Sequence, residues 1–212
     1  MKKTHKFSII LICLCTSVYG QNVYSPDLSG INDTTKWKIC NRIAGFTDNV
    51  VYMNGQAGDG IIWLRNFVFT NGKIEVDIKG KNDQGKSFVG IAFHGLNDST
   101  YDVIYFRPFN FNSPERSNHS VQYVSNPKYS WYMLREEFKG KYENTVLPVP
   151  NPDDWFHATI VIQYPEIKVY VNRSDQASLK INKLTAIKEG AIGLWVGNNS
   201  EGSFKNLTIR RE

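Results

Sequence analysis

The sequence predicts an all-β fold, a single domain made of two antiparallel sheets stacked as a sandwich. Polar and apolar residues alternate with period two in many short segments, and turn residues separate those segments at short intervals. No stretch has the pattern of a long amphipathic helix. The 212 residues suit one domain, because all-β sandwiches run to about 200–250 residues as a unit.

The first 20 residues have the three parts of a secretory signal peptide. Lysines at positions 2, 3 and 6 precede an almost unbroken apolar run over residues 7–15, and Val18 and Gly20 stand at the −3 and −1 positions of a cleavage site before Gln21. The run is too short to span a bilayer, and no later stretch reaches the roughly 20 apolar residues that a transmembrane helix needs. We therefore expect a secreted or periplasmic mature domain, residues 21–212, with no transmembrane segment.

A lipid anchor is the alternative to cleavage after Gly20. Cys13 and Cys15 lie near the end of the apolar run, where the modified cysteine of a lipoprotein would stand. The residues before each of them lack the small side chain that such a site prefers. A lipid-anchored surface protein is therefore the second expectation.

Removal of residues 1–20 changes the charge and the cysteine count. That segment holds three of the 25 Lys and Arg and none of the 20 Asp and Glu, so the net charge falls from +5 to +2. A balance this close to neutral gives no reason to expect a nucleic-acid partner. One cysteine, Cys40, remains, so no internal disulfide forms, and a structural zinc site is not expected.

Ten segments of the mature chain are predicted as strands. They are residues 61–69, 72–79, 87–94, 101–107, 120–124, 158–163, 168–172, 178–181, 191–196 and 203–210. Asn71-Gly72 between the first two indicates a tight hairpin, and residues 131–139 have room for one or two helical turns. Residues 109–154 depart from the regular rhythm and are rich in Pro, Asn and aromatic residues. Long ordered loops of this kind usually carry function or cover a binding face.

Alternation sorts the side chains of these strands onto two faces, since successive residues of a strand point to opposite sides. Three strands have one uniformly apolar face, which is predicted to line the space between the sheets. Its members are Ile74, Val76, Ile78, Val89, Ile91, Phe93, Ile192, Leu194 and Val196. Two of these strands carry very small residues on the opposite face, together with His94 or Trp195. Because glycine weakens a strand, such a face indicates close approach of either a ligand or the long segment 109–154.

Several of these segments carry a family resemblance. Residues 190–197 and 202–209 resemble the closing strands of concanavalin A-like lectin/glucanase sandwiches, and residues 66–79, 90–94 and 105–108 resemble earlier strands. Trp155, followed by residues 160–162 and 169–172, completes a pattern that covers about residues 22–211. The sequence looks most similar to laminin-G-like and 3-keto-disaccharide-hydrolase-like domains of exported bacterial proteins. The resemblance implies a jelly-roll sandwich, often with sugar bound on the concave sheet.

The resemblance implies carbohydrate as the partner, but one such fold hosts lectins, hydrolases and adhesion modules. We expect an exported carbohydrate-binding protein that recognises a glycan on its concave face. A glycoside-cleaving hydrolase of the 3-keto-disaccharide-hydrolase-like type is the alternative, and a structural or adhesive protein is a third hypothesis.

Seven residues are predicted to contact the sugar. They are His94, Tyr105, Arg107, Asn110, Trp131, Glu136 and Trp195. A guanidinium beside aromatic rings suits hydroxyl-rich or carboxylate-bearing sugars, and indole rings stack on pyranoses. We expect His94, Arg107 and Trp195 to project from the face opposite the core, with residues 109–154 beside them. The alternatives are a hydrogen-bonded structural role for His94, an ion pair with a loop acid for Arg107, and core packing for the aromatic residues.

Two further groups of polar residues are weaker candidates. Glu75 and Asp77 match the first two acids of a Glu-x-Asp-x-x-Glu pattern found in laminarinase-type enzymes, but Gly80 occupies the third position. A solvated sheet face is the preferred interpretation, because retaining hydrolysis needs a second carboxyl about 5–5.5 Å from the first. Around one turn lie Asn97, Asp98 and Asp102. Their oxygen atoms could bind calcium, or they could stabilise the turn itself as Asx-turn residues. Calcium is the one cofactor considered.

Overall fold

A computed structural model describes residues 23–212 of the chain, and the predicted signal peptide and its cleavage site lie outside the described residues. Fifteen strands in this range form two antiparallel sheets stacked as a sandwich, which confirms the predicted fold class. The strands are β1 (Val23–Tyr24), β2 (Trp37–Cys40), β3 (Ala44–Thr47), β4 (Val50–Met53), β5 (Gly60–Leu64), β6 (Gly72–Lys79), β7 (Val89–Asn97), β8 (Thr100–Phe106), β9 (Val121–Asn126), β10 (Glu143–Asn144), β11 (Phe156–Gln163), β12 (Glu166–Val171), β13 (Leu179–Asn182), β14 (Ala191–Val196) and β15 (Gly202–Arg211). One short α-helix, α1 (Trp131–Glu137), precedes β10.

The two sheets have similar size. The first sheet has the strand order β13-β12-β11-β6-β15-β4-β3, with β1 paired to β15, and the second has the order β10-β9-β8-β7-β14-β5-β2. Between Val23 and Glu212, no helix is long and apolar enough to cross a membrane.

The core lies between the sheets, where the alternation placed it. All nine residues predicted to line this space are fully buried. Phe106 of the second sheet packs edge-on against Phe156 of the first, with ring centroids 4.9 Å apart. Side chains in phase with Phe106 therefore point to the inner face of the second sheet, and those between them point to its outer face.

The predicted hairpin at Asn71-Gly72 is wrong. β5 ends at Leu64 and pairs with β2 and β14 in the second sheet, whereas β6 pairs with β11 and β15 in the first. The Asn-Gly pair therefore lies on a crossover between sheets. Gly72 itself has φ of +135°, and a Cβ there would lie 1.9 Å from the carbonyl oxygen of Arg210, so the position needs glycine for close approach to β15 rather than for a two-residue turn.

A β-bulge interrupts β7 at His94. The register of β7 with β8 shifts between Phe93 and Asn97, and the register with β14 shifts between Ala191 and Gly193. His94 has φ of +50°, in the left-handed region. A bulge places one extra residue against the partner strand and turns the following side chain away from simple alternation. Alternation along the strand therefore does not predict the direction of the His94 side chain.

His94 points to the inner face, and its predicted place on the outer face is wrong. Its Nε2 donates to the carbonyl oxygen of Thr70 at 2.7 Å, and its Nδ1 accepts from the Lys183 ammonium at 3.0 Å. Lys183 also forms a buried ion pair with Asp102. The hydroxyl of Tyr123 donates to the other Asp102 oxygen at 2.6 Å. We call these four side chains, His94, Asp102, Tyr123 and Lys183, the inner polar cluster.

Residues 109–154 close one side of the sandwich and place α1 at its edge. The β10 strand extends the second sheet beyond β9, and the next residues run beside β13 of the first sheet. Asn144 donates to the Ser178 carbonyl oxygen at 2.9 Å, and the Leu147 amide donates to the Ser178 hydroxyl at 2.9 Å. Phe111 and Val146 from the same segment are buried in the core.

Candidate functional site

The outer face of the second sheet carries a row of large side chains interrupted by one glycine. Cross-strand pairing puts Ile61, Trp195, Gly90, Tyr105 and Gln122 in one row across β5, β14, β7, β8 and β9. The Tyr105 and Trp195 rings lie 5.2 Å apart across the gap above the glycine. Both side chains are nine-tenths or more buried, so this row forms the floor of the face.

Aromatic side chains of the same face cover the glycines. A Cβ at Gly95 would lie 2.5 Å from the Trp63 ring, and a Cβ at Gly193 would lie 2.9 Å from it. At Gly197, a Cβ would lie 2.9 Å from the Trp195 ring. The small residues therefore make room for Trp63 and Trp195, and neither a ligand nor the long segment is needed to explain them.

Asp59, Tyr101 and Asn126 converge beside the Trp195 ring of this floor, and we call these four side chains the Asp59 cluster. The Tyr101 hydroxyl donates to Asp59 Oδ2 at 3.0 Å, and the Asn126 amide lies 3.5 Å from the same oxygen. Trp195 is 4% exposed, yet its indole N–H has no hydrogen-bond partner within residues 23–212. The cluster thus groups a carboxylate, a hydroxyl and an amide, with the enclosed indole N–H beside them.

Burial raises the pKa of Asp59 above its usual value, and hydrogen bonding by Tyr101 with the charge of Arg42 opposes that shift. The indole N–H of Trp195 also lowers the Asp59 pKa, so it lies close to the carboxylate although it is not aligned for a direct hydrogen bond. Burial, followed by the charge of Asp59, raises the pKa of the Tyr101 hydroxyl. The Tyr101 hydroxyl therefore stays a donor at neutral pH.

Arg42 fixes the loop that carries Asp59. Its guanidinium donates to the carbonyl oxygens of Gly58 and Gly197, each at 2.7 Å, and so ties the loop to the end of β14. The amide of Gly58 also donates to the Asn198 side chain at 2.8 Å. Because both contacts hold the backbone beside Asp59, the carboxylate is positioned over the sheet before any ligand arrives.

Arg107 lies on the outer face, as expected, but it is buried in a network with protein partners. It donates to the Tyr105 hydroxyl and to Gln122 Oε1, and to the His119 carbonyl oxygen at 2.9 Å. The Glu143 carboxylate lies 3.6 Å away. Burial lowers the Arg107 pKa from its usual value. Arg107 is therefore not accessible to a sugar in a groove, contrary to the prediction. The structure instead shows the alternative role, an ion pair with an acid of the long segment.

Glu143 connects this network to an exposed tryptophan. Arg135 Nη2 donates to Glu143 Oε2 at 2.9 Å and its Nε donates to both oxygens at 3.1 Å, while His119 Nδ1 lies 2.8 Å from Oε2. Burial tends to raise the Glu143 pKa, but Arg135 and then His119 bring it below the usual value. The Arg135 guanidinium lies 5.4 Å from the Trp131 ring centroid, and Trp131 is 51% exposed. The structure thus holds one exposed indole at the rim of the outer face.

The other predicted contacts lie apart from the Asp59 cluster. Asn110 is buried after β8 and donates to the His119 carbonyl oxygen at 3.1 Å. Glu136 is exposed on α1. Glu75 and Asp77 lie on the outer face of the first sheet, where Asp77 Oδ1 is 2.7 Å from His157 Nδ1, so they belong to the opposite side of the sandwich.

The three residues considered for calcium do not converge. Asn97 Oδ1 accepts from the amide and hydroxyl of Ser99, each at 2.9 Å, which is an Asx turn. Asp98 pairs with Lys38 at 2.6 Å, and Asp102 points inward to the inner polar cluster. Between Val23 and Glu212, no three His, Cys, Asp or Glu side chains are grouped to hold a metal ion. The predicted calcium ligands do not fit such a site.

Sequence reasoning did not select Asp59 or Asn126. They are 67 residues apart in the chain, and each lies at a strand end, where no spacing rule applies. Alternation along β8 puts Tyr101 on the same face as Tyr105, and the structure agrees. The local signal was Gly58-Asp59-Gly60 directly before an apolar strand, a pattern that also fits any tight loop.

Comparison with known proteins identifies a family match. A family model described as a 3-keto-alpha-glucoside-1,2-lyase-like domain matches residues 27–210. The match confirms the resemblance seen in the sequence and spans nearly all of the described residues. Among curated proteins, none matches the sequence.

Several solved structures have a similar fold. The carbohydrate-binding module CBM66 from Bacillus subtilis is 17% identical, with a TM-score of 0.59 and coverage of 82% of this chain and 96% of the module. A putative glycosyl hydrolase from Parabacteroides distasonis is 15% identical, with a TM-score of 0.55 and coverage of 84% and 100%. The exoplasmic/lumenal domain of VIP36, in its Ca²⁺/Man3GlcNAc-bound form, is 14% identical, with a TM-score of 0.55 and coverage of 82% of each chain. At these identities the likenesses show the fold alone.

Proposed function

The chain belongs to the family of 3-keto-alpha-glucoside-1,2-lyase-like domains, and from that premise we propose that it is an exported protein that binds a glycan on the outer face of its second sheet. Export rests on the signal-peptide pattern of residues 1–20. Glycan as the ligand is supported by the family and by the sugar-binding and glycosyl-hydrolase neighbours of the same fold.

One observation carries the proposed site: the Asp59 cluster presents an exposed carboxylate, contacted by Tyr101 and Asn126, above an aromatic floor. A sugar-binding site needs hydrogen-bonding groups for the hydroxyls and apolar surface for the C–H faces of the ring. In such pockets a few placed polar groups fix the orientation of the ligand. The indole N–H of Trp195 is enclosed and lowers the Asp59 pKa, so it helps to hold the carboxylate in place for the hydroxyls of a ligand. The acceptor oxygens of Asp59 stand beside it.

The rim supplies a second apolar surface. Arg135 and Trp131 are one helical turn apart, and Arg135 reaches Glu143, whose strand partner Gln122 is in the outer-face row. Trp131 therefore stands on the same side of the sheet as the Asp59 cluster. We propose that its exposed ring stacks on a sugar unit of a longer glycan.

The test is a panel of neutral and acidic oligosaccharides, with α-glucosides included, followed by calorimetry on the best binder. Asp59→Asn should weaken binding about tenfold or more, because it removes a charge-assisted hydrogen bond from a preorganised site. Asp48→Asn is the matched control, since Asp48 is an exposed turn residue outside the cluster. The proposal fails if no glycan in the panel binds, or if Asp59→Asn binds as the parent does.

Glycoside cleavage is the second candidate, and the raised pKa of Asp59 favours it, since a carboxyl with a raised pKa can donate a proton to a leaving oxygen. The Asp59 cluster holds one carboxylate, whereas hydrolysis by paired acids requires two. Binding is therefore better supported. Release of reducing sugar from the same panel, abolished in Asp59→Asn, would instead establish cleavage.

A further inference from the structure

An open pocket of about 460 Å³ lies beside the bulge in β7, and none of the four residues of the Asp59 cluster lines it. Its volume falls in the range of small-molecule sites, about 300–1,000 Å³. The lining residues are Lys38, Trp63, Leu64, Arg65, Asn66, Phe67, Val68, Gly95, Leu96, Asn97, Asp98, Gly190 and Ala191. We call it the bulge pocket.

The bulge itself makes the floor of this pocket. Gly95 follows the bulge on β7, and Gly190 directly precedes β14. A Cβ at Gly95 would lie 2.5 Å from the Trp63 ring, and a Cβ at Gly190 would lie 2.5 Å from the His94 carbonyl carbon. Both positions must therefore stay without side chains. Trp63 is fixed over this floor by a 3.0 Å hydrogen bond from Nε1 to Asp98.

The walls of the bulge pocket are apolar and partly exposed. Val68 is 52% exposed and Leu96 is 60% exposed, and both line the same cavity. Phe67 behind them stacks on Tyr24 with ring centroids 4.8 Å apart. Two branched aliphatic side chains that face a common cavity and remain exposed form an apolar contact surface for another molecule.

Two guanidinium groups lie near the bulge pocket: Arg211 stands 4.3 Å from the Phe67 ring centroid and donates to the Val68 carbonyl oxygen at 3.3 Å, whereas Arg65 of the lining is unpaired among the described residues. Lys38 and Asp98 pair at 2.6 Å, and Cys40 donates to the other Asp98 oxygen at 3.3 Å, so the only acid of the lining is compensated. The Arg65 guanidinium is exposed and makes no hydrogen bond or ion pair within residues 23–212. The uncompensated charge of the lining is therefore positive and lies at the rim.

We propose that the bulge pocket binds a small amphipathic carboxylate, with a flat apolar group against Trp63 between Val68 and Leu96 and with its carboxylate at Arg65. An apolar wall with a single free guanidinium complements such a ligand, because the guanidinium pairs with a carboxylate in a planar, two-bond geometry. A neutral ligand of the same shape would use the walls only. This site is independent of glycan binding at the Asp59 cluster.

The experiment compares 2-naphthoate with its neutral analogue, 2-naphthalenemethanol, by titration of the isotopically labelled protein followed by NMR. We expect saturable shifts of the Trp63 indole N–H and of the Gly95 and Ala191 amides with 2-naphthoate. Arg65→Gln should weaken 2-naphthoate about threefold and leave the alcohol unchanged, because it removes one exposed charge pair. Arg173→Gln, an exposed arginine in the turn between β12 and β13, is the matched control and should change neither.

Leu96→Asp should abolish binding of 2-naphthoate, because it places a negative charge in the apolar wall. Because Leu96 and Arg65 are exposed, both variants should fold, and their amide spectra check this. Absence of saturable shifts at Trp63, or equal affinity of 2-naphthoate for the parent and Arg65→Gln, overturns the proposal.

Discussion

Acidification should destabilise the fold through His94. Burial, followed by the charge of Lys183, lowers the pKa of this imidazole from 6.5 to about 4. Between these two values the unfolded chain binds a proton that the folded protein does not, so stability falls as pH falls. The contribution of His94 is fully present above pH 6.5 and is lost as the pH approaches 4. A shift of this size corresponds to about 3 kcal/mol.

The structure explains why the proton is excluded. The neutral ring donates from Nε2 to Thr70 and accepts at Nδ1 from Lys183, so a proton on Nδ1 would face an ammonium 3.0 Å away. The Asp102 carboxylate, 3.8 Å from Nδ1, offsets this repulsion only in part because it is already paired with Lys183. His94 is fully buried, so water does not screen the new charge.

The assay is urea unfolding at several pH values between 7 and 4 for the parent and for His94→Leu. The variant loses two hydrogen bonds and should be less stable at pH 7, but it has no group at this position to protonate. The difference in the free energy of unfolding between the two proteins should therefore shrink by about 3 kcal/mol from pH 7 to pH 4. Parallel stability curves would refute the reasoning, because they would mean that His94 protonates equally in both states.

Two further variants test the buried ion pairs by urea unfolding. Arg107→Ala should cost about 3 kcal/mol, because it leaves Glu143 with one buried partner fewer, and a change within about 0.5 kcal/mol would mean that Arg107 is effectively exposed. Lys183→Met should cost about 3–5 kcal/mol, since it strands the buried Asp102 carboxylate, whereas the exposed control Lys180→Met should cost at most about 1 kcal/mol. Equal losses for the two lysine variants would argue against a buried pair.

The period-two alternation was sufficient to predict the core. Residues such as Ile74, Ile91 and Ile192 have polar or very small neighbours on both sides, so the side chains to be buried lie mainly on one face of each strand. The short strands β2, β3 and β4 were not predicted. Each has four residues, too few for alternation to repeat. Pairing with longer neighbours stabilises β2 and β4, which pair with β5 and β15, and β3 pairs with β4 at the edge of the first sheet.

The outer face was harder to predict because its features depend on register and not on sequence spacing. A bulge at His94 reverses the direction of one side chain, and nothing in Phe93-His94-Gly95 distinguishes it from regular strand. Asp59 is held over the sheet by Arg42, 17 positions earlier, which donates to the carbonyl oxygens of Gly58 and Gly197.

The fate of Arg107 shows how a correct placement can still give a wrong role. Alternation along β8 predicted Arg107 on the outer face beside Tyr105, and the structure places it there. Alternation does not predict which residues from elsewhere in the chain contact that face. Glu143 could not be placed because it comes from a two-residue strand in an irregular segment. Because Glu143 and the His119 carbonyl oxygen both bind the guanidinium, its charge is satisfied within the protein, and this is why the proposed glycan site is built on Asp59 rather than on Arg107.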